Sequence, residues 1–146
     1  MTIRLNRQNI LRLCIYVVLT AGSAPARAAG PFDGSWQVAL DCAASPDGAK
    51  GYRWVFPATV KDGELIGLYN EPNSVPSGRL AGRIRNDGSA LLTMTGRAGD
   101  PAYNIKHAAG GTPIHYSITA HFDRNGGSGT RNEQRSCSLS FTRSKV

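Results

Sequence analysis

The sequence predicts an all-β fold, a small antiparallel up-and-down barrel of about eight strands. Three observations lead there. Apolar residues recur with period two over many short segments, and no segment repeats them at helical spacing for three turns. Turn residues separate those segments at regular intervals, the rhythm of barrels and sandwiches. Two cysteines, Cys42 and Cys137, stand near opposite ends of the periodic region, where a barrel would bring its first and last strands together. A β-sandwich is the alternative arrangement of the same strands.

Residues 1–28 read as a cleaved signal peptide. Arg4, Arg7 and Arg12 precede an apolar stretch at 13–21, and Ala26-Arg27-Ala28 supplies the small-residue cleavage pattern. The apolar stretch falls short of the roughly 20 residues that span a bilayer. One domain, 29–146, is left, expected in the periplasm or secreted, with no stable membrane insertion after cleavage. The leader holds four of the 17 Lys and Arg and none of the 10 Asp and Glu, which leaves 13 basic against 10 acidic residues, a net +3. That modest surplus, with no basic stripe interleaved with aromatics, argues against a nucleic-acid partner. Cys14 leaves with the leader. The remaining pair, Cys42 and Cys137, reads as a disulfide in an oxidising compartment.

The elements follow in order. In the opening stretch, PFDGSWQVALDC at 31–42, Trp36, Val38, Leu40 and Cys42 share one face. Tyr52, Trp54, Phe56, Ala58 and Val60 turn inward on the next strand, where Pro57, on the outward phase, marks a bulge or a missing ladder bond. Asp62-Gly63 is a tight hairpin signal leading into a strand at 65–70. Beyond the loop NEPNSVPSG, Leu80, Gly82 and Ile84 face inward and Arg79, Arg83 and Arg85 outward. The chain turns at Asn86-Asp87-Gly88 and returns with Ala90, Leu92, Met94 and Gly96 inward. The segment AGDPAYNIKHAAGGTP has two readings: a short sixth strand through Tyr103, Ile105 and His107, or one long loop. Ile114, Tyr116, Ile118, Ala120 and Phe122 then alternate inward. RNGGSG reads as a flexible turn, and 130–143 as a single last strand.

Pairing the first and last strands makes a specific prediction. If Cys42 faces Cys137, antiparallel partners keep a constant sum of 179. Leu40 then meets Leu139, Val38 meets Phe141, and Trp36 lies beside Arg143 in cation–π geometry. A one-residue slip would spoil each match.

A meander collects alternate connections at one end, here AASPDGAKG, NEPNSVPSG, AGDP and RNGGSG, and that loop-rich end is the candidate mouth. Carrying the inward phase back along the last strand aligns Arg131, Glu133 and Arg135 opposite Ala44, Pro46 and Gly48. Such a row suits an anionic group held by bidentate hydrogen bonds, or else forms a solvated ladder of salt bridges on a bulged strand. The candidate ligand-binding residues are therefore Arg131, Glu133 and Arg135, with the inward aromatics Tyr52, Trp54 and Tyr116. Eight strands enclose a space that side chains fill or that admits one small molecule.

No set of catalytic roles assembles, so the chain is expected not to be an enzyme, and no motif calls for a cofactor or a metal. His115 and His121 stand six residues apart on one strand, about 20 Å and too far to share an ion. GGSGT lacks the strand-to-helix setting of a nucleophile elbow. Asp123 and Glu133 flank the last turn, where neighbouring carboxylates are ordinarily just solvated.

The opening FDGSW, 32–36, and the closing RSCSLSF, 135–141, resemble a type of small exported Gram-negative protein of unknown function that begins F-D-G-[ST]-W and ends in an R-x-C-x-L-x-F strand. Gly34-Ser35-Trp36 is also similar to the G-x-W opening of lipocalin-type and avidin-type barrels, which implies that Trp36 plugs one end. Past the leader only Trp36 and Trp54 remain, so the later tryptophans of an avidin biotin site are missing and biotin is not implied. Bacterial inhibitors of metalloproteases and lysozymes share the one-disulfide barrel as architecture alone. The expected function is non-enzymatic binding of a small molecule or an exported protein at the loop-rich end. The alternatives are an inhibitor of a hydrolase, inserting Pro31, Phe32 and Asp33 or a loop into its target, and a structural envelope protein. A hollow interior with convergent polar groups marks the binder; a packed interior with a projecting segment marks the inhibitor.

Overall fold

A computed structural model describes residues 29–145; the signal peptide expected at 1–28 lies outside the described residues. The strands are β1 (Gly34–Cys42), β2 (Tyr52–Lys61), β3 (Glu64–Tyr69), β4 (Ser77–Ile84), β5 (Ser89–Arg97), β6 (Pro113–Phe122), β7 (Gly126–Arg131) and β8 (Cys137–Arg143). Each pairs antiparallel with the next, and β8 pairs with β1, closing the barrel in sequence order. Closure removes every free edge. Among the described residues, no helix is long and apolar enough to cross a membrane.

The seam has the register that the cysteines imply. Cys42 pairs with Cys137, Leu40 with Leu139, Val38 with Phe141 and Trp36 with Arg143, and a disulfide joins the first pair. Val38, Leu40, Leu139 and Phe141 are at most 3% exposed. Burying a side chain of this size contributes about 1.5 to 3 kcal/mol, so a shifted seam would forfeit several such terms at once.

Of the two readings of AGDPAYNIKHAAGGTP the long loop holds, and one expectation about the strands needs correction. Residues 102–107 are not a strand: 98–112 is a long connection holding two short 3₁₀ turns, Pro101–Tyr103 and Ile105–His107. The eighth strand comes instead from RNGGSG, most of which is β7 rather than a flexible turn, and the single strand expected at 130–143 is divided between β7 and β8. The reason is spatial. Gly127 and Gly129 occupy inward positions, where an added Cβ would press on Phe122 and on Ile118 and Ala120 respectively. Neighbouring side chains fill the space that β7 leaves empty. Pro57, for its part, causes no bulge: the ladder to β1 runs through it without an inserted residue, and the ladder to β3 begins at Ala58.

The FDGSW opening closes the tight-turn end of the barrel. Phe32 is buried, and its carbonyl accepts a hydrogen bond from Trp36 Nε1 at 2.9 Å. The Asp33 carboxylate accepts from the backbone N–H groups of Gly30, Asp62 and Gly63, tying the entry segment to the β2–β3 hairpin and holding its own pKa below the usual carboxylate range. Asp62 and Gly63 both have positive φ, 51° and 78°, as a type I′ turn requires. Trp36 packs edge-on against Phe122 at 5.6 Å between ring centroids. Over the Trp36 ring lies the Arg143 guanidinium, 4.8 Å from its centroid, donating to the carbonyls of Asp33, Pro31 and Arg124. Phe32 thus packs at the base of the barrel, and the segment 31–33, the candidate arm of the inhibitor alternative, is folded in with it.

The bridge spans 95 residues of sequence. Replacing both Cys42 and Cys137 by serine is expected to lower unfolding free energy by about 4 to 5 kcal/mol on the chain-entropy account. Urea unfolding monitored by circular dichroism measures it, with the folded far-ultraviolet spectrum retained because the β1–β8 ladder remains.

Candidate functional site

The connections 43–51, 70–76, 98–112 and 132–136 meet at the end opposite the plugged base. RNGGSG does not belong here, because 123–125 turns at the base. Within the loop-rich end lies a cavity of about 600 Å³. Its walls include Tyr52 and Trp54 of β2, Tyr69 of β3, and Ile114 and Tyr116 of β6, with Arg131 at the end of β7 and the long connection 98–112 alongside.

One wall is aromatic. Trp54 and Tyr69 stack with centroids 4.3 Å apart and planes 8° from parallel, and Tyr52 tilts against Trp54 at 5.2 Å. The alternation of β2 dictates this: Tyr52 and Trp54 share the inward phase with Phe56, Ala58 and Val60, with Trp54 at the edge of the packed core and Tyr52 half-buried against it. The opposite wall is cationic and phenolic. The Arg131 guanidinium lies 3.8 Å from the Tyr116 ring centroid, and Arg135 lies 5.2 Å from that of Tyr52.

Two polar atoms of this wall are buried without a hydrogen-bond partner, the Tyr116 hydroxyl and Arg131 Nε. The Tyr52 hydroxyl lies near that of Tyr116, but the two do not meet in hydrogen-bond geometry. An unpaired buried polar atom costs about 1 to 3 kcal/mol, and an acceptor brought in by a ligand would remove that cost. Burial raises the pKa values of Tyr116 and Tyr52, so both phenols stay protonated and able to donate; burial also lowers that of Arg131, which ordinary pH still leaves charged.

The row of Arg131, Glu133 and Arg135 does not exist as an inward ladder. The β1–β8 pairing stops at Cys42 and Cys137, and 132–136 turns away, with Gln134 at φ 58°. Arg131 ends β7 opposite Ile118 and keeps the inward phase. Glu133 leaves it: its carboxylate accepts from the Ser117 backbone N–H at 2.9 Å and the Ser117 hydroxyl at 2.6 Å, bonds that lower its pKa. Nor does Glu133 approach Asp123, which caps the β6–β7 turn at the base by accepting from Asn125 and Gly126.

Arg135 is 4% exposed and bonded on all sides. Its Nε donates to the Ala43 carbonyl at 2.7 Å and one terminal nitrogen to the Tyr103 carbonyl at 2.7 Å, while the other reaches the carbonyls of Ala49 and Lys50. It joins the connection 43–51 to the connection 98–112 beside the cavity. A second latch acts between the same loops: the Asp47 carboxylate accepts from the Lys106 backbone N–H, where Lys106 and His107 both hold positive φ. Of the expected site residues, Tyr52, Trp54, Tyr116, Arg131 and Arg135 all border the cavity. Tyr69 and the 98–112 wall were not among them. Tyr69 had a signal, since it shares alternation with Leu65 and Gly67.

Arg135→Met would leave those carbonyls without their donor, and the expected loss is about 2 to 4 kcal/mol of unfolding free energy, read by urea titration, with faster amide exchange through 43–51 and 98–112. Asp47 titrates low, at about 2, chiefly through its bond from Ser45 and then that from Lys106. Because the folded value is depressed, the latch is complete above the ordinary carboxylate value of 3.8 and is lost as pH falls through about 2. In NMR, the Lys106 amide should titrate with that low midpoint, and should show no such midpoint in Asp47→Asn. Comparison with known protein families, with curated proteins and with solved structures returned no match, so the geometry alone carries the functional reading.

Proposed function

We propose that this chain is an exported, non-enzymatic barrel that binds one small organic molecule in the cavity at its loop-rich end. The observation that carries the reading is the conjunction of an open, aromatic-walled space with two buried, unpartnered donors beside it. A volume of about 600 Å³ suits a small ligand, and few convergent polar groups on an apolar lining are what such sites use for orientation.

Two further features favour binding over chemistry and inhibition. The cavity's distinctive groups are donors and aromatic faces. Its neighbouring carboxylates are engaged elsewhere, Asp100 with the Ala102 backbone N–H and Glu133 with Ser117, and His115 makes no hydrogen bond among the described residues. Among those residues, no three of His, Cys, Asp and Glu gather for a metal ion. The segment 31–33, which an inhibitor would project, is instead pinned by Trp36, Arg143 and the β2–β3 hairpin. A disulfide between the chain's extremities supports export to an oxidising compartment, periplasmic or extracellular.

Native mass spectrometry of protein recovered from the compartment to which cells export it tests the reading. The expected result is a stoichiometric small-molecule adduct on the wild-type chain that is absent from Ile114→Trp, whose indole would occupy the cavity. A stoichiometric hydrolase in place of the adduct would establish the inhibitor, and bare protein in both cases would leave a structural envelope role.

A further inference from the structure

We infer that the cavity's ligand is a flat aromatic acid, its carboxylate set against Arg131 and Tyr116 and its rings along Tyr52, Trp54 and Tyr69. This rests on the binding function proposed above and names the chemical class of the ligand.

The charge follows from an inventory of what faces the cavity. Arg53 is paired with Asp41 at 2.5 Å. Arg135 is engaged by neutral carbonyls through Nε and both terminal nitrogens, four bonds that occupy four of its five N–H donors and leave its charge uncompensated. Arg131 has neither hydrogen bond nor ion pair among the described residues, although Glu133 is two positions away in sequence. Asp100 borders the cavity but caps its own 3₁₀ turn, and Lys106 adds a further positive charge. The chamber is therefore cationic, with one guanidinium whose donors are free. A partly desolvated guanidinium is best matched by a carboxylate in its plane.

The valence follows from the same inventory. With four of the five Arg135 donors occupied, Arg53 paired and Lys106 exposed to solvent, the unpaired donors that stand together are the Arg131 guanidinium and the Tyr116 hydroxyl, which suits one carboxylate rather than a polyanion such as a nucleotide. The stack of Arg131 on the Tyr116 ring fixes both donors on one side of the chamber. The flatness follows from the facing wall. Trp54 and Tyr69 form a nearly parallel pair and Tyr52 extends it, and aromatic rings prefer offset or edge contact with such faces.

Isosteric probes separate the two levels of the claim. Naphthalene-2-carboxylate and pyrene-1-carboxylate, their carboxamides, and decanoate would be titrated against wild-type protein, following Trp54 fluorescence in a Trp36→Phe background and calorimetry of the unmodified chain. The acids are expected to bind at least about tenfold more tightly than the amides, with decanoate weaker than the ring acids. In Arg131→Gln the preference for acid over amide should disappear, and Tyr116→Phe should reduce it. Should Arg131→Gln fail to fold, the wild-type comparison of acid with amide decides alone. Equal binding of acid and amide would overturn the charge assignment and leave the cavity reading standing. Decanoate binding as tightly as the ring acids would overturn the flat-ring assignment. Binding by none of the probes would overturn this inference and leave the cavity reading to the native mass-spectrometric adduct.

Discussion

The antiparallel seam between β1 and β8 is the constraint on which the other features depend. An eight-stranded meander has two edges until its ends pair, and each edge would otherwise present unpaired backbone groups along its length. Closing it in one register aligns Cys42 with Cys137, two apolar pairs, and Trp36 with Arg143 in a single stroke. The polarity of the barrel follows. With Trp36 and Arg143 at one extremity of the seam and the disulfide at the other, the tight turns fall at the plugged end and the long connections around the bridge.

That polarity divides the interior into a filled half and a hollow one. Toward the tight turns, Phe32, Trp36, Phe122 and Phe141 interlock, and the inward glycines of β7 admit them. Toward the long connections the inward side chains are still large, yet most of them lie along the barrel wall, and the Tyr52 and Tyr116 hydroxyls are what approach each other across it. Tyr52, Trp54 and Tyr69 lean on one another along one side while Tyr116 is covered by Arg131 on the other. Aromatic bulk alone therefore does not decide whether a barrel is packed; the direction in which the rings stack does.

Much of this was legible in the chain. Period-two alternation identified the inward faces of β1, β2, β4, β5 and β6, and the cysteine pair supplied the one long-range restraint that alternation lacks. Alternation of connections placed 43–51, the NEPNSVPSG loop and the start of 98–112 at one end, but counting 102–107 as a strand put RNGGSG there too, whereas it turns at the base. What stayed hidden had local causes. β7 consists largely of glycine, serine and threonine, so its strand character comes from the neighbours that fill its face and not from its own apolar residues. The phase of Glu133 failed because it was carried back through a strand that in fact turns at 132–136, and one positive-φ residue, Gln134, erases phase memory. Only the serine opposite, Ser117, shows where that carboxylate goes.

Arg131 and Arg135 show how two copies of one residue type, four positions apart, come to opposite uses. Arg135 sits where two loops turn their carbonyls inward, and a guanidinium is the side chain with enough donors in one plane to serve them all. It takes the place of a hydrophobic core in a region where backbone crosses backbone. That knot, and the bond from the Lys106 backbone N–H to Asp47, hold the loops of the mouth to one another. Arg131 is then left facing a space whose rim is already secured, with no structural acceptor to claim it. Arg131 is only half-buried, with its Nε shut away from solvent and its guanidinium stacked on the Tyr116 ring, and even that partial desolvation is unfavourable. The proposed binding function therefore rests on the less satisfied arginine of the two.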